Sequence, residues 1–282
     1  MKHIPVLLDA VLNALGDIKD KHIVDCTFGA GGYTRAFLAR GAMVTAFDRD
    51  SNVLVDVDDV RAQYGDRFNF IPSAFSAIAD LDAKFDAIVF DLGISSMQID
   101  NGERGFSFRM NAPLDMRMDT KNLIPARQLI ENASVAELAD ILRNYGDVKN
   151  ATNLARAIKN AAPQTTFELR DLIYNPRDIA PVFQALRIAV NDEMGEIERA
   201  LAAVPEHLVC GGKCICVTFH SIEDRIVKNQ FRKWTTTPGD PRMPVVENAP
   251  FTEIKTVLPS KMELDNNSRA RSAHMRGVIK SC

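Results

Sequence analysis

The segment Asp25-Cys26-Thr27-Phe28-Gly29-Ala30-Gly31-Gly32 joins the apolar pair Ile23 and Val24 to a stretch, Thr34 to Arg40, that has helical spacing and a glycine stop at Gly41. That order reads as strand, tight turn and helix. Glycines permit positive φ and close backbone approach, and the following helix offers unpaired N–H groups at a partial positive end. A pyrophosphate would suit such an end, but Asp25 would lie close to the phosphates and repel them. The dinucleotide pattern G-x-G-x-x-G is also absent, because Tyr33 and Thr34 stand where the third glycine should fall. A ligand that carries an ammonium and a carboxylate but no phosphate fits better. S-adenosylmethionine is such a ligand, and the loop favours it over NAD.

Further strands follow the same plan. Met43 to Phe47 is an apolar run that ends at Asp48, with a second carboxylate at Asp50, close to the offset at which an acidic side chain accepts from ribose hydroxyls. Phe68 to Ile71 leads to Ser73, Ala74 and Phe75, and Ala87 to Phe90 ends at Asp91. Between them, Val53, Leu54, Val57 and Val60 make one helical stripe. Strands alternating with helices imply a parallel sheet, whose ligands bind at the carboxyl ends of the strands. Asp25, Asp48, Phe75 and Asp91 all fall there.

Composition changes between about Ala112 and Pro205. Strand-like runs vanish, and two capping boxes appear, Ser134 with Glu137 and Thr165 with Glu168, each ahead of an apolar stripe. A longer periodic stretch runs from Pro181 to Ala203. Strand character returns at Cys214 to Phe219, followed by a helix from Ile222 to Trp234. Thr235 to Pro250 holds four prolines and one glycine and reads as a loop. The expected architecture is a doubly wound, Rossmann-like α/β domain, residues 1–111 and 206–282, interrupted by a small all-helical domain, residues 112–205.

The chain has 282 residues, 46% hydrophobic and 25% charged, the composition of an ordinary soluble globular protein. No apolar run approaches a membrane span and the motifs begin almost at Met1, so a cytoplasmic protein is expected. Five cysteines, Cys26, Cys210, Cys214, Cys216 and Cys282, lack paired C-x-x-C spacing. Reduced thiols are expected, with neither a disulfide framework nor a metal site. The net charge of −3 carries no nucleic-acid footprint. Locally, Arg225, Lys228, Arg232 and Lys233 follow Glu223 and Asp224, a pattern that matches a helix macrodipole. Arg269, Arg271, Arg276 and Lys280 have no acid among them and form a candidate phosphate contact.

Eight strings, in order, carry a resemblance: His3-Ile-Pro-Val-Leu-Leu, the glycine segment at Asp25, Asp91-Leu-Gly-Ile-Ser-Ser with Gln98, Glu103-Arg-Gly-Phe-Ser-Phe, Pro113-Leu-Asp-Met-Arg-Met-Asp, Phe183-Gln-Ala-Leu-Arg-Ile, Phe219-His-Ser-Ile-Glu-Asp-Arg-Ile-Val-Lys, and Ser268-Arg-Ala-Arg-Ser-Ala. Together they closely resemble the bacterial small-subunit ribosomal RNA cytosine N4-methyltransferase family, RsmH or MraW. The resemblance implies a class I S-adenosylmethionine-dependent enzyme that methylates the exocyclic amine of one cytidine of 16S rRNA near the decoding centre. Its substrate would be that RNA, within the small ribosomal subunit, and the helical insert would take part in recognising it. The cofactor contacts it implies are Gly31, Gly32, Tyr33, Asp48, Phe75, Asp91 and Gln98. Tyr33 replaces the histidine usual in the family.

A cytosine amine is a poor nucleophile, because its lone pair is delocalised into the ring. Acceptors on its hydrogens would localise that pair. Asp91 is the acceptor candidate, with Ser95 or Ser96 beside it, and His220 could take the released proton. A capping role for His220 is the competing expectation. Methylation at carbon 5 would need a cysteine nucleophile, and no cysteine lies at the Asp91 turn. Arg104, Arg109 and Arg117 border the same edge as candidate RNA contacts, with Phe106 and Phe108 either stacking on an extruded base or buried. A nicotinamide-dependent oxidoreductase and a non-enzymatic RNA-binding assembly factor are the rival classes. Oligomeric state stays open between monomer and homodimer.

Overall fold

The computed structural model describes residues 5–95, 97–98, 102–237 and 249–282. Ser96, the first residues of the His3 string and most of the expected proline-rich loop lie outside the described residues. The chain forms two compact units, one of Met1–Gly93 with Met194–Cys282 and one of Ile94–Glu193.

In chain order the elements are α1 (Leu8–Leu15), β1 (His22–Asp25), α2 (Gly32–Ala39), β2 (Met43–Phe47), α3 (Leu54–Tyr64), β3 (Phe68–Ile71) and β4 (Phe85–Asp91). Then come α4 (Ala126–Asn132), α5 (Val135–Gly146), α6 (Ala151–Ala161), α7 (Thr166–Asp171) and α8 (Ile179–Asn191). The chain continues with α9 (Glu193–His207), β5 (Leu208–Thr218), α10 (Ser221–Thr235), β6 (Phe251–Val257), α11 (Lys261–Asn266) and β7 (His274–Lys280).

The first unit is a seven-stranded sheet ordered β3-β2-β1-β4-β5-β7-β6. The first five strands run parallel, and β7 is antiparallel to both of its neighbours. This is the doubly wound α/β sheet expected from the sequence. Ile23, Val24, Val44, Phe47, Ile88, Val89, Ile215 and Val217 are almost completely buried, as strands covered on both faces require. Strand order reverses between β1 and β4, so their carboxyl ends flank a switch point where ligands of such sheets bind.

Two strands were not anticipated. β6 follows the stretch that reads as a proline-rich loop and β7 lies in what reads as a basic tail; neither has a clean apolar alternation. β7 is nevertheless an interior strand, with Met275, Gly277 and Val278 buried. Its Arg276 makes a bidentate pair with Asp224, at 2.7 and 2.9 Å, and Lys280 donates to the carbonyls of Pro205 and Leu208. These two cations hold the fold together and are not a phosphate-binding tail. The expectation of reduced thiols also fails at one pair. β5 and β7 are antiparallel neighbours, which brings Cys210 and Cys282 to the same end of the sheet with Cα atoms 4.9 Å apart, and the two are disulfide-bonded. Sequence spacing cannot reveal a pairing made by a sheet register. Cys26, Cys214 and Cys216 are free and buried.

The second unit is helical, but its limits differ from the expected 112–205 span. Ile94, Phe106 and Phe108 pack with its core of Leu114, Met116, Ile130, Leu138, Leu142, Leu169, Val182 and Leu186, which pulls the boundary back to Ile94. The single stretch expected from Pro181 to Ala203 is two helices, broken at Asp192, whose φ of 46° is left-handed. The Ser134–Glu137 capping box forms with both of its bonds, and Thr165 accepts from the Glu168 N–H. Phe106 is buried, and the partly buried Phe108 meets Phe183 edge to face at 5.6 Å, so the pair packs with the core of this unit, as the burial expectation has it.

Asn191 ties the Pro113 string to α8. Fully buried, it donates to the carbonyls of Met116 and Arg187 at 2.8 Å each and accepts from the Met118 N–H at 2.7 Å. Replacing Asn191 with Ala strands those backbone groups in the core and should cost about 3 kcal/mol, read as a lower midpoint in urea denaturation of the whole chain.

Candidate active site

At the end of β1 the backbone turns sharply through Gly29 and Gly31, with φ of 53° and 74°. A side chain at Gly32 would overlap the ring of Pro5, so the chain near the N-terminus packs directly over the start of α2. The turn is held from beneath by Asp25. That carboxylate is fully buried, takes the Thr34 hydroxyl at 2.6 Å and the Thr27 N–H at 3.2 Å, and is an internal strut, not a group facing the pocket as its sequence position suggests. Burial pushes its carboxyl up, against the opposing pull of Thr34 and Thr27.

Asp48, just past β2, braces the same turn from the side. One oxygen accepts from Gly29 N–H at 2.9 Å and the other from Asp50 N–H at 2.8 Å. Each oxygen keeps a second lone pair for a ligand hydroxyl. Burial raises the Asp48 carboxyl to about 6, with the N–H groups of Asp50 and Gly29 acting in the opposite sense. Phe75 opens the short helix Phe75–Asp80 and meets Phe90 edge to face at 5.6 Å; it is half-buried and so presents apolar surface at the edge.

Asp91 ends β4 beside β5, in register with Val217. Its backbone N–H donates to the Thr27 hydroxyl at 2.9 Å. Its Oδ1 is buried with no hydrogen-bond partner among the described residues. Burial, and after it the charges of Asp25 and Glu223, push the Asp91 carboxyl well up. A buried carboxylate oxygen with no donor, near two other carboxylates, is an unfavourable arrangement until a cation or donor arrives.

Tyr33 supplies its own explanation. Its buried hydroxyl donates to the Val6 carbonyl, and the Leu7 N–H donates to Glu263 at 2.6 Å, so residues 5–7 are clamped over the loop from two sides. Leu7 adopts a left-handed φ of 56° to allow this. Pro5 figured in the sequence only as part of the His3 string, and Glu263 not at all; the signal was a tyrosine at a loop where its hydroxyl, if buried, must find an acceptor.

His220 is the N-cap of α10, where its ring accepts from the Glu223 N–H at 3.4 Å, so the capping expectation holds. α10 also begins with Glu223 and Asp224 and ends with Arg232 and Lys233, as the macrodipole reading requires. Ser95 and Gln98 belong to the helical unit and close on each other, Ser95 N–H to Gln98 Oε1 at 3.1 Å and Gln98 N–H to Ser95 Oγ at 3.3 Å. Ser95 thereby acts as a turn former. Two of the arginines suggested for RNA are occupied internally. Arg117 makes a bidentate pair with Asp115 and reaches the carbonyls of Thr120 and Leu123, and Arg104 donates to the carbonyls of Arg117 and Met118. Arg109, Arg269 and Arg271 are exposed.

A switched parallel sheet with a glycine turn after β1 and carboxylates after β2 and β4 defines a methyltransferase of the S-adenosylmethionine-dependent class. The chain belongs to the MraW methylase family, whose model matches residues 1–281. It is 42% identical over 301 residues to the ribosomal RNA small subunit methyltransferase H of Rhizobium leguminosarum, covering 100% of this chain and 88% of that protein. With the protein of the same name from Rickettsia africae it shares 40% identity over 299 residues, covering 98% and 97%. Among solved structures, an rRNA methylase from Streptococcus thermophilus aligns at a TM-score of 0.46 and 14% identity over 100% of this chain and 99% of that one. The chain is an rRNA methyltransferase. Among the described residues, no helix is long and apolar enough to cross a membrane.

Carboxyl-carbon NMR of the free protein is expected to find Asp48 titrating near pH 6, because burial disfavours its charge. An adenosyl ligand whose ribose donates to the ionised form should accordingly bind less tightly as pH falls through that value, in calorimetry across the range.

Proposed function

We propose that this chain transfers a methyl group from S-adenosylmethionine to the exocyclic N4 amine of one cytidine of 16S rRNA, near the decoding centre of the small ribosomal subunit, in the cytoplasm. The reading rests on Asp91: a bare, buried carboxylate oxygen at the end of β4, beside a glycine turn and clustered with Asp25 and Glu223. Such a cluster fits a positively charged ligand and is hostile to a pyrophosphate, which disfavours the nicotinamide alternative.

The roles follow from the placement. Gly31, Gly32 and Tyr33 offer backbone at the start of α2, Asp48 accepts from the ribose hydroxyls, and Phe75 lies against the adenine. Gln98 is kept as a cofactor contact on the family resemblance alone. When bound, the donor supplies an electrophilic methyl carbon, which bonds to N4 as its bond to sulfur breaks and the electron pair stays on sulfur. Asp91 accepts a hydrogen of the amine, which localises the nitrogen lone pair, and then receives the proton that N4 must lose. Methylation at carbon 5 is disfavoured by the thiols. Cys26 and Cys216 are buried in the sheet, where burial pushes both far from the thiolate form, and Cys210 and Cys282 are bonded to each other. The helical unit and the exposed Arg109, Arg269 and Arg271 contribute to holding the RNA through its phosphates.

Asp91→Ala should abolish methyl transfer in a purified assay with small ribosomal subunits; full retained activity rejects its role. Calorimetry with S-adenosylhomocysteine separates an enzyme from a non-catalytic assembly factor, which would not bind it. Nucleoside mass spectrometry of small-subunit rRNA from cells lacking the chain should report the loss of one N4-methylated cytidine.

A further inference from the structure

His220 is poorly placed to receive a proton. Its Nδ1 is the acceptor for the Glu223 N–H, which leaves the proton of the neutral ring on Nε2, and Nε2 lies 2.9 Å from Glu223 Oε1. Neither nitrogen offers a free lone pair. Glu223 is the unusual member of the pair. Glutamates at the same helix position in α5 and α7, Glu137 and Glu168, are exposed, as a cap permits; Glu223 is 0% exposed. Capping does not require burial, and burying a carboxylate is costly unless its oxygens are satisfied. One oxygen of Glu223 is satisfied, by the N–H groups of Phe219 at 2.8 Å and His220 at 3.2 Å. The other, Oε1, makes no well-formed hydrogen bond among the described residues and faces Gly93. There a Cβ, if present, would lie 3.6 Å from it. Gly93 stands two residues beyond Asp91, in the turn that leaves β4 with a φ of 91°.

We infer that Glu223 is a positioning residue for proton transfer at Asp91: its buried carboxylate packs against the turn that carries Asp91 and sets a second negative charge near the acceptor. The inference rests on the proposed function above and deepens it. The titratable groups that face Asp91 are Asp25 from β1, Tyr33 from α2, and Glu223 with its partner His220 from α10. Two of these are carboxylates, and like charges nearby raise a neighbour's affinity for a proton. In the step itself, a proton leaves N4 for Asp91 Oδ1 and the pair of the broken N–H bond stays on nitrogen. Glu223 touches no reacting atom.

Glu223→Gln keeps an oxygen for the two N–H groups and removes the charge. It should lower kcat on small subunits about 10-fold or more while leaving KM and the affinity for S-adenosylhomocysteine within about twofold, and should move the acidic limb of the kcat profile to lower pH. His220→Asn, which preserves the cap, should keep most of the activity. An unchanged kcat and pH profile in Glu223→Gln, or a His220→Asn as damaged as that variant, overturns the inference. Carboxyl NMR of the free protein is the arm that needs no activity. The Asp91 carboxyl should titrate at lower pH in Glu223→Gln than in the wild-type protein, and an Asp91 titration unchanged by that substitution overturns the inference as well. Because that arm reads the free protein, it stands even if the wild-type chain fails to methylate a cytidine amine, an outcome that would sink the function and not the coupling.

Discussion

Asp25, Asp48 and Asp91 end adjacent strands of one sheet, and their crowding is the constraint around which the first unit is built. Each carboxylate loses hydration, and Asp91 in addition feels the charge of Asp25 through a poorly polarisable interior. The protein meets this with local donors. Thr34 and Thr27 satisfy Asp25, and Gly29 and Asp50 satisfy Asp48. The glycine turn is therefore held by the same side chains that shape the ligand edge. Of the three, Asp91 alone has an oxygen, Oδ1, that is buried without a donor among the described residues, which suits it to the acceptor role proposed above. A shortage of positive charge at this edge is what makes it fit a cationic donor.

In each unit, basic residues work for the fold. Arg276 pairs with Asp224 across β7 and α10, Lys280 collects two carbonyls near the start of β5, and Arg117 and Arg104 gather carbonyls around the Pro113 string. Arginine suits this because its planar fork can satisfy several acceptors at once. Cations clustered in sequence are thus a weak guide to phosphate contacts. Arg276 and Lys280 find their partners in distant segments and Arg117 and Arg104 within their own loop, whereas Arg109, Arg269 and Arg271 stand apart by exposure.

Much of the parallel sheet was legible. β2 and β3 have the bounds that their apolar runs suggest, and β1 and β4 extend those runs by one or two residues at each end, while β5 begins well before its run, at Leu208, and stops at Thr218, short of Phe219. Alternation of period 2 and period 3.6 is a local property, so it survives without knowledge of the fold. β6 and β7 escaped because Thr252, Glu253 and Lys255 face solvent at the sheet edge and Arg276 and Lys280 are satisfied by partners elsewhere. The break at Asp192 escaped because a single left-handed residue leaves the hydrophobic period on either side almost undisturbed.

The site divides along the same line. Strand-end position alone marked Asp48, Phe75 and Asp91, because a parallel sheet delivers its carboxyl ends to one rim and the chain order says which residues sit there. Whether a carboxylate on that rim is a strut, a brace or a bare acceptor depends on donors contributed by other segments: Thr34 for Asp25, Gly29 for Asp48, and no partner among the described residues for Asp91 Oδ1. Glu223 reads in sequence as an ordinary capping glutamate and becomes a buried neighbour of Asp91 only when β4 and β5 pair. Local pattern determined the elements and their order, since propensity and periodicity act over a few residues. Tertiary packing decided charge state, hydrogen-bond partners and the Cys210–Cys282 bond, since burial and distance are properties of segments far apart in the chain.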